Sequence, residues 1–371
     1  MKILVIYNNA PLYREAVFDL MDKKLPCDWV FGEAIGDIKQ MDFSKLRGDV
    51  RIVKNKPLFK GKAYWQTSVL NYLRSDYSHY IILGDERCLS TWLFLLLSKF
   101  YPRKKIYLWT HGAYGKESLP IRVVEKLFYN LVDGTFLYGD YARDIMIRRG
   151  FSPHKLHTIH NSLNYEQQLK LRKTDLSSDI YKKHFDNNDP VIIVIGRLNV
   201  RKKLPMLIDA VANLRNRDCC YNLVLIGSGD DKKELELRVK NHNIERYVWF
   251  YGACYDEKEN AVLLSNADLC VLPGDIGLTA IHCMMFGVPV ISHNAYQFQG
   301  PEFEAIKEGV TGAFFEHDNQ VSLESSIETW FKKNASNRNE VRNACYKEID
   351  TQWTPSYQLE IINKVISAVY G

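Results

Sequence analysis

The 371 residues exceed the ~250–300 at which one hydrophobic core stops growing, and a content of 46% hydrophobic and 25% charged residues excludes a disordered or fibrous chain, so two folded domains are expected. The net charge of +5 conceals an asymmetry: residues 1–170 hold 26 Lys/Arg against 17 Asp/Glu, the remainder 23 against 27. Eight cysteines without C-x-x-C spacing read as reduced, buried thiols of a cytoplasmic chain.

Residues 2–7 form an apolar run that Asn8 and Asn9 end before a signal-peptide core develops, so it reads as a first strand. Helical spacing follows over 14–23, then strands over 28–31, 79–83, 106–109 and 135–138, with a further helix over 122–130. Leu89 to Leu97 is far shorter than the ~20 apolar residues a membrane span needs and reads as a buried helix. Lys54, Lys56, Lys60 and Lys62, interleaved with Phe59, Tyr64 and Trp65, together with Arg103, Lys104 and Lys105, suit an anionic lipid surface or simply a solvated basic face. No nucleic-acid-binding motif accompanies this charge.

A polar stretch from Tyr165 to Asp189 marks a passage between domains, drawn as 1–168 and 169–352, with 353–371 a helical tail packing back across them. The second series of strands runs over 191–195, 222–226, 248–251, 269–272 and 288–292. Strands alternating with helices imply two tandem Rossmann-like, doubly wound α/β domains whose strand-end loops face a cleft between them.

Those loops carry the candidate chemistry. Gly196-Arg197-Leu198, followed by Lys202, offers close backbone approach and two cations for a diphosphate whose charge grows as its bond to a sugar breaks. Gly227, Tyr251 and Gly252 end the next strands and suit a base and ribose, although for each glycine taken singly a tight turn is the stronger reading. Pro273 to Val290 reads strand end, glycine loop, helix, and places the amides near Gly277, Leu278 and Thr279 as a phosphate cradle. In the first domain, Asn9, Tyr13 and Arg14 after the first strand suit an acceptor, and Asp85 and His111 lie at later strand ends as candidate catalytic groups.

The 273–290 segment resembles the signature of family-4 retaining glycosyltransferases, in which Glu, seven residues and a second Glu surround Gly-Leu and precede Gly-x-Pro-Val. Gly196-Arg197-Leu198 with Lys202, Ile159-His160-Asn161-Ser162, and Glu304 with Gly309-Val310-Thr311-Gly312 resemble further family elements in the same order. The resemblance implies the GT-B fold and transfer from a nucleoside diphosphate sugar with retention. Registering Gly277-Leu278 on the pattern puts Gly274 and His282 where the two glutamates stand, so both signature carboxylates are absent. In the family the second Glu holds the ribose hydroxyls, a task His282 would share by hydrogen bonding, while Asp275 would stand in for the first at the donor sugar.

With Arg197, Lys202 and the Gly277 amides neutralising the leaving group, no metal and no cofactor beyond the donor is expected. The implied acceptor is a glycan or lipid-linked sugar of capsule or O-antigen synthesis, met at the inner membrane face. The rival readings are a sugar-nucleotide epimerase and a catalytically silent sugar-nucleotide-binding subunit. A dehydrogenase is disfavoured because no G-x-G-x-x-G follows the first strand.

Overall fold

Apolar runs of five or six residues, too short for helices and bounded by turn residues, become parallel strands buried on both faces. The computed structural model describes residues 1–34 and 39–368. The chain divides into two units, Met1–Asn164 joined by the segment from Thr354 onward, and Tyr165–Trp353.

In the first unit, β1 (Ile3–Tyr7), β2 (Cys27–Gly32), β3 (Val50–Val53), β6 (His79–Leu83), β7 (Lys105–Thr110), β8 (Gly134–Leu137) and β9 (Leu156–Thr158) form a parallel sheet in the order β3-β2-β1-β6-β7-β8-β9. Between them β4 (Asn55–Leu58) and β5 (Ala63–Gln66) make an antiparallel hairpin. The first helices are α1 (Glu15–Lys24), α2 (Leu89–Ser98), α3 (Leu119–Asn130) and α4 (Asp140–Arg148). Strand alternation sorts the core onto two faces. Ile3, Val5 and Tyr7 join Phe18, Trp29 and Trp109 on one, whereas Leu4 and Ile6 join Phe94, Leu95 and Phe128 on the other.

In the second unit, α5 (Tyr165–Arg172) and α6 (Ile180–Phe185) precede β10 (Val191–Ile195), α7 (Leu204–Arg215), β11 (Asn222–Ile226), α8 (Lys232–Asn241) and β12 (Val248–Gly252). Then come α9 (Glu257–Asn266), β13 (Leu269–Val271), α10 (Thr279–Met285), β14 (Val290–His293), β15 (Gly312–Phe315), α11 (Gln320–Asn334) and α12 (Arg338–Gln352). The sheet is parallel throughout, in the order β12-β11-β10-β13-β14-β15.

The last helix, α13 (Pro355–Ser367), opens on a Thr354 side chain that accepts the Tyr357 amide. Its Ile362 and Ile366 enter the core beside α1, so the expected tail helix belongs to the first unit; the last residues of the expected tail, 369–371, lie outside the described residues. Gln358 fastens it, donating to the His160 carbonyl at 2.8 Å and accepting from the Ser162 hydroxyl at 2.5 Å.

The expected lipid-facing cluster is corrected in part. Lys104 turns inward, donating to the carbonyls of Ser75 and Tyr77 at 2.7 and 2.8 Å, and Lys105 pairs with Asp133. Burial lowers the Lys104 pKa. The lysine-rich stretch is the β4–β5 hairpin, with an exposed Phe59 at its tip.

Candidate functional site at the switch points

In a doubly wound sheet, ligands bind beyond the carboxyl ends of the two strands where the strand order reverses. In the second unit those strands are β10 and β13, neighbours in the sheet whose connections run in opposite directions. The loops leaving them are the two richest in sequence signals, Gly196–Lys203 and Pro273–Leu278.

The two loops are laid side by side by backbone hydrogen bonds from Gly274 and Asp275 to the carbonyls of Lys202 and Arg201, both 3.1 Å. Lys202 crosses to the far strand end, donating to the carbonyls of Asp275 at 2.6 Å and Ile276 at 3.3 Å. Two of its three ammonium hydrogens are thereby used and one remains for a ligand. Burial lowers its pKa, opposed by the charge of Asp275. Arg197 is exposed and forms no ion pair among the described residues. Thr279 ties the start of α10 back to β10, its hydroxyl donating to the Ile195 carbonyl at 2.9 Å. Gly277 takes a left-handed φ of 54°, with open space where a Cβ would stand, and Leu278 caps the helix.

The remaining loops line up on the same edge. The Gly196 amide donates to the Ile226 carbonyl at 2.9 Å and the Gly227 amide to the Gly252 carbonyl at 2.8 Å, so the ends of β10, β11 and β12 are joined in a row. A Cβ at Gly227 would lie 1.8 Å from the Gly196 carbonyl oxygen. That glycine is therefore required by the packing of neighbouring loops. Tyr251 turns toward α9, giving its hydroxyl hydrogen bond to Glu259; burial and that bond push its pKa up to about 12.

Two expected site residues on this edge have local partners. The Oδ1 of Asp275, expected at the donor sugar, accepts the Gly300 amide at 2.9 Å and its Oδ2 pairs with Arg201. His282, on the first turns of α10, donates to Glu257 at 2.9 Å, and Gln168 donates to the same Oε1 at 2.7 Å. Burial would raise the Glu257 pKa, and the His282 hydrogen bond and charge overcome it, leaving the carboxyl below its ordinary value. Glu257 escaped sequence reasoning. The available signal was Asp256, which accepts the Lys258 amide at 2.8 Å as an N-cap and so puts Glu257 in the first turn of a helix at a strand end.

In the first unit β1 and β6 flank the switch point. Arg14 is buried, 6% exposed, with its guanidinium 4.8 Å from the Tyr138 ring and 5.4 Å from that of Trp109, and it donates to the Tyr138 hydroxyl. His111 is exposed and packs on the same Tyr138 at 4.8 Å. Tyr13 stays 44% exposed beside Arg14, and Asn9 is buried. Asp85, expected as a catalytic group, holds Arg87 of its own loop with both oxygens, at 2.9 Å each. Arg14 and His111 are thus brought together through one tyrosine.

Residues 177–348 match the family described as glycosyl transferases group 1. The matched stretch lies within the second unit, which is therefore similar to the group 1 glycosyl transferases. Among proteins similar to it are an uncharacterized 41.2 kDa protein in the cps region of Klebsiella pneumoniae, 21% identical over 65% of this chain and 60% of that protein, and an alpha-D-kanosaminyltransferase of Streptomyces kanamyceticus, 25% identical over 47% and 44%. The chain spans less than two thirds of the length of these relatives. A solved structure of Anabaena HepE in complex with UDP superposes with a TM-score of 0.75 at 18% identity, covering 99% of this chain and 100% of that one. The fold of the chain is accordingly GT-B, two Rossmann-like domains, as the resemblance implied.

Proposed function

We propose that the chain is a retaining, metal-independent glycosyltransferase that moves a hexosyl group from a nucleoside diphosphate sugar to a glycan or lipid-linked acceptor in bacterial cell-surface polysaccharide synthesis. The observation that carries this reading is the pair of cations at the β10–β13 switch point: Arg197 exposed without an ion pair among the described residues, and Lys202 half-buried against the neighbouring loop with one donor to spare. In the transfer, the bond between the sugar's anomeric carbon and the diphosphate oxygen breaks and a bond to the acceptor oxygen forms on the same face. The acceptor's proton passes to the departing phosphate. Charge that develops on the diphosphate is met by Arg197, Lys202 and the amides at Gly277, Leu278 and Thr279, of which Lys202 and the amides are already held in place before reaction. The names of the cps-region relative and of the UDP-bound structure support the pathway and the donor class.

A second reading, a silent donor-binding subunit, is favoured by Gly274, where the first signature carboxylate would stand and where no side chain fits. Purified protein is incubated with UDP-, GDP- and dTDP-sugars and membrane-extracted acceptors, with and without EDTA. Nucleoside diphosphate release with sugar transfer that survives EDTA supports the proposal. Transfer abolished by EDTA overturns metal independence, binding without release supports the silent subunit, and an altered sugar still on its nucleotide supports an epimerase. Lys202→Ala is expected to lower kcat/KM by about 10²–10³, as does loss of one transition-state donor elsewhere.

A further inference from the structure

A helix on the surface of a water-soluble domain turns its apolar stripe inward and its polar face to solvent. In α3 the outward side is apolar as well, while Phe128 and Tyr129 enter the core from the inward side. The side that faces the first unit is held by polar clamps: Glu125 pairs with Arg149 at 2.9 Å, and the Tyr129 hydroxyl donates to Glu86 at 2.7 Å. Phe128 adds a ring contact with Trp92 of α2 at 4.9 Å, and Lys99 beyond α2 donates to the Leu131 carbonyl at 2.6 Å, so the two helices lie side by side. The outward side presents Leu119, Ile121, Val123, Val124 and Leu127, with Leu119 74% and Leu127 60% exposed. Phe100, just past α2, is 79% exposed.

Charge decides what covers this face. Between residues 99 and 131 there are seven Lys/Arg and two acids, Glu117 and Glu125, and Arg149 engages both acids. Lys99, Arg103, Lys116, Arg122 and Lys126 therefore frame the apolar strip with one sign. A second copy of the chain would bring like charges together, whereas an anionic bilayer offers acyl chains to the strip and negative headgroups to the frame. We propose that α3, with the end of α2, lies flat on an anionic lipid surface. The helix has 12 residues, and among the described residues no helix is long and apolar enough to cross a membrane, so it rests in the interface. This inference stands apart from the donor reading, since it is read by binding alone.

The test is co-sedimentation of the full chain with vesicles of phosphatidylcholine containing 30% phosphatidylglycerol, and with phosphatidylcholine alone. Two variants are compared, Val123→Ser with Leu127→Ser, and Arg122→Glu with Lys126→Glu; all four positions are exposed, and unchanged thermal melting shows that the fold is kept. The expected result is partition onto the anionic vesicles only, reduced about tenfold or more by either variant and by 0.5 M salt. Equal binding to neutral vesicles, no binding at all, or binding unaffected by both variants overturns the proposal. So does a concentration-dependent dimer in light scattering that the serine variant abolishes, which would make the face a contact between copies.

Discussion

At Gly274 an ideal Cβ would stand 1.9 Å from the Arg201 carbonyl oxygen, a backbone atom that cannot step aside. The glycine is thus a condition of the close approach of the β10 and β13 loops. A carboxylate restored there would push those loops apart. Gly274→Ala is expected to cost about 1–3 kcal/mol in urea unfolding, the usual penalty of overpacking, and to weaken donor binding in the same protein by separating Lys202 from the Asp275 carbonyl. Unchanged stability would contradict the contact. A second residue-scale consequence concerns His293, at the end of β14 and 1% exposed, whose pKa burial lowers to about 4, helped by His317 and Lys203 and opposed by Asp318 and Asp275. Its Nδ1 accepts the Ala295 amide at 3.2 Å, so the neutral ring is the folded form. Between its ordinary value of 6.5 and about 4, the unfolded chain binds a proton at this site that the folded chain refuses. Stability therefore falls as pH drops through that window, by roughly 3 kcal/mol from this group. His293→Asn, which keeps an acceptor and removes the proton site, should flatten the dependence measured by urea unfolding between pH 6.5 and 4.

Among the elements, those whose burial is uniform were the legible ones. His79–Leu83, Val191–Ile195 and Asn222–Ile226 are strands at the expected residues because each holds a short apolar run closed by a glycine, Gly84, Gly196 or Gly227. The β4–β5 hairpin was hidden by its lysines, which mark an exposed edge and read as a surface patch. β3, β9 and β15 are only three or four residues long, too short for a pattern. For α3 the helix was legible and its orientation was not, because apolar spacing reveals a stripe without saying which way it faces. In the candidate site, the placing of Arg197, Lys202 and the glycines on strand-end loops was readable from the strand pattern. The partners of Asp275, Asp85 and His282 were not, since each is fixed by a contact such as Arg201, Arg87 or Glu257 that the pattern does not encode. The tail helix carries its own test: Ile362, fully buried against the β1 face, should cost about 2–5 kcal/mol when changed to Ala. Hydrogen exchange should place the loss in the first unit, with the strands from β10 onward unaffected.

For the whole molecule, the division into units has an order along the chain. The second unit is one uninterrupted segment, Tyr165–Trp353, whereas the first is assembled from two pieces far apart in sequence. A fragment of residues 165–353 is therefore expected to fold alone, with cooperative melting and UDP binding measurable by calorimetry, whereas residues 1–164 alone leave the β1 face that receives Ile362 and Ile366 open to water. A fragment 165–353 that melts without cooperativity would contradict this.

During synthesis the first piece of the earlier unit leaves the ribosome and then waits for α13 while the whole later unit is made. At about 5–20 residues per second that interval is on the order of 10–40 s. The later unit can close first, and for that time the nascent chain carries an apolar sheet face whose covering helix has yet to be translated. That window is where a holding chaperone would find its grip.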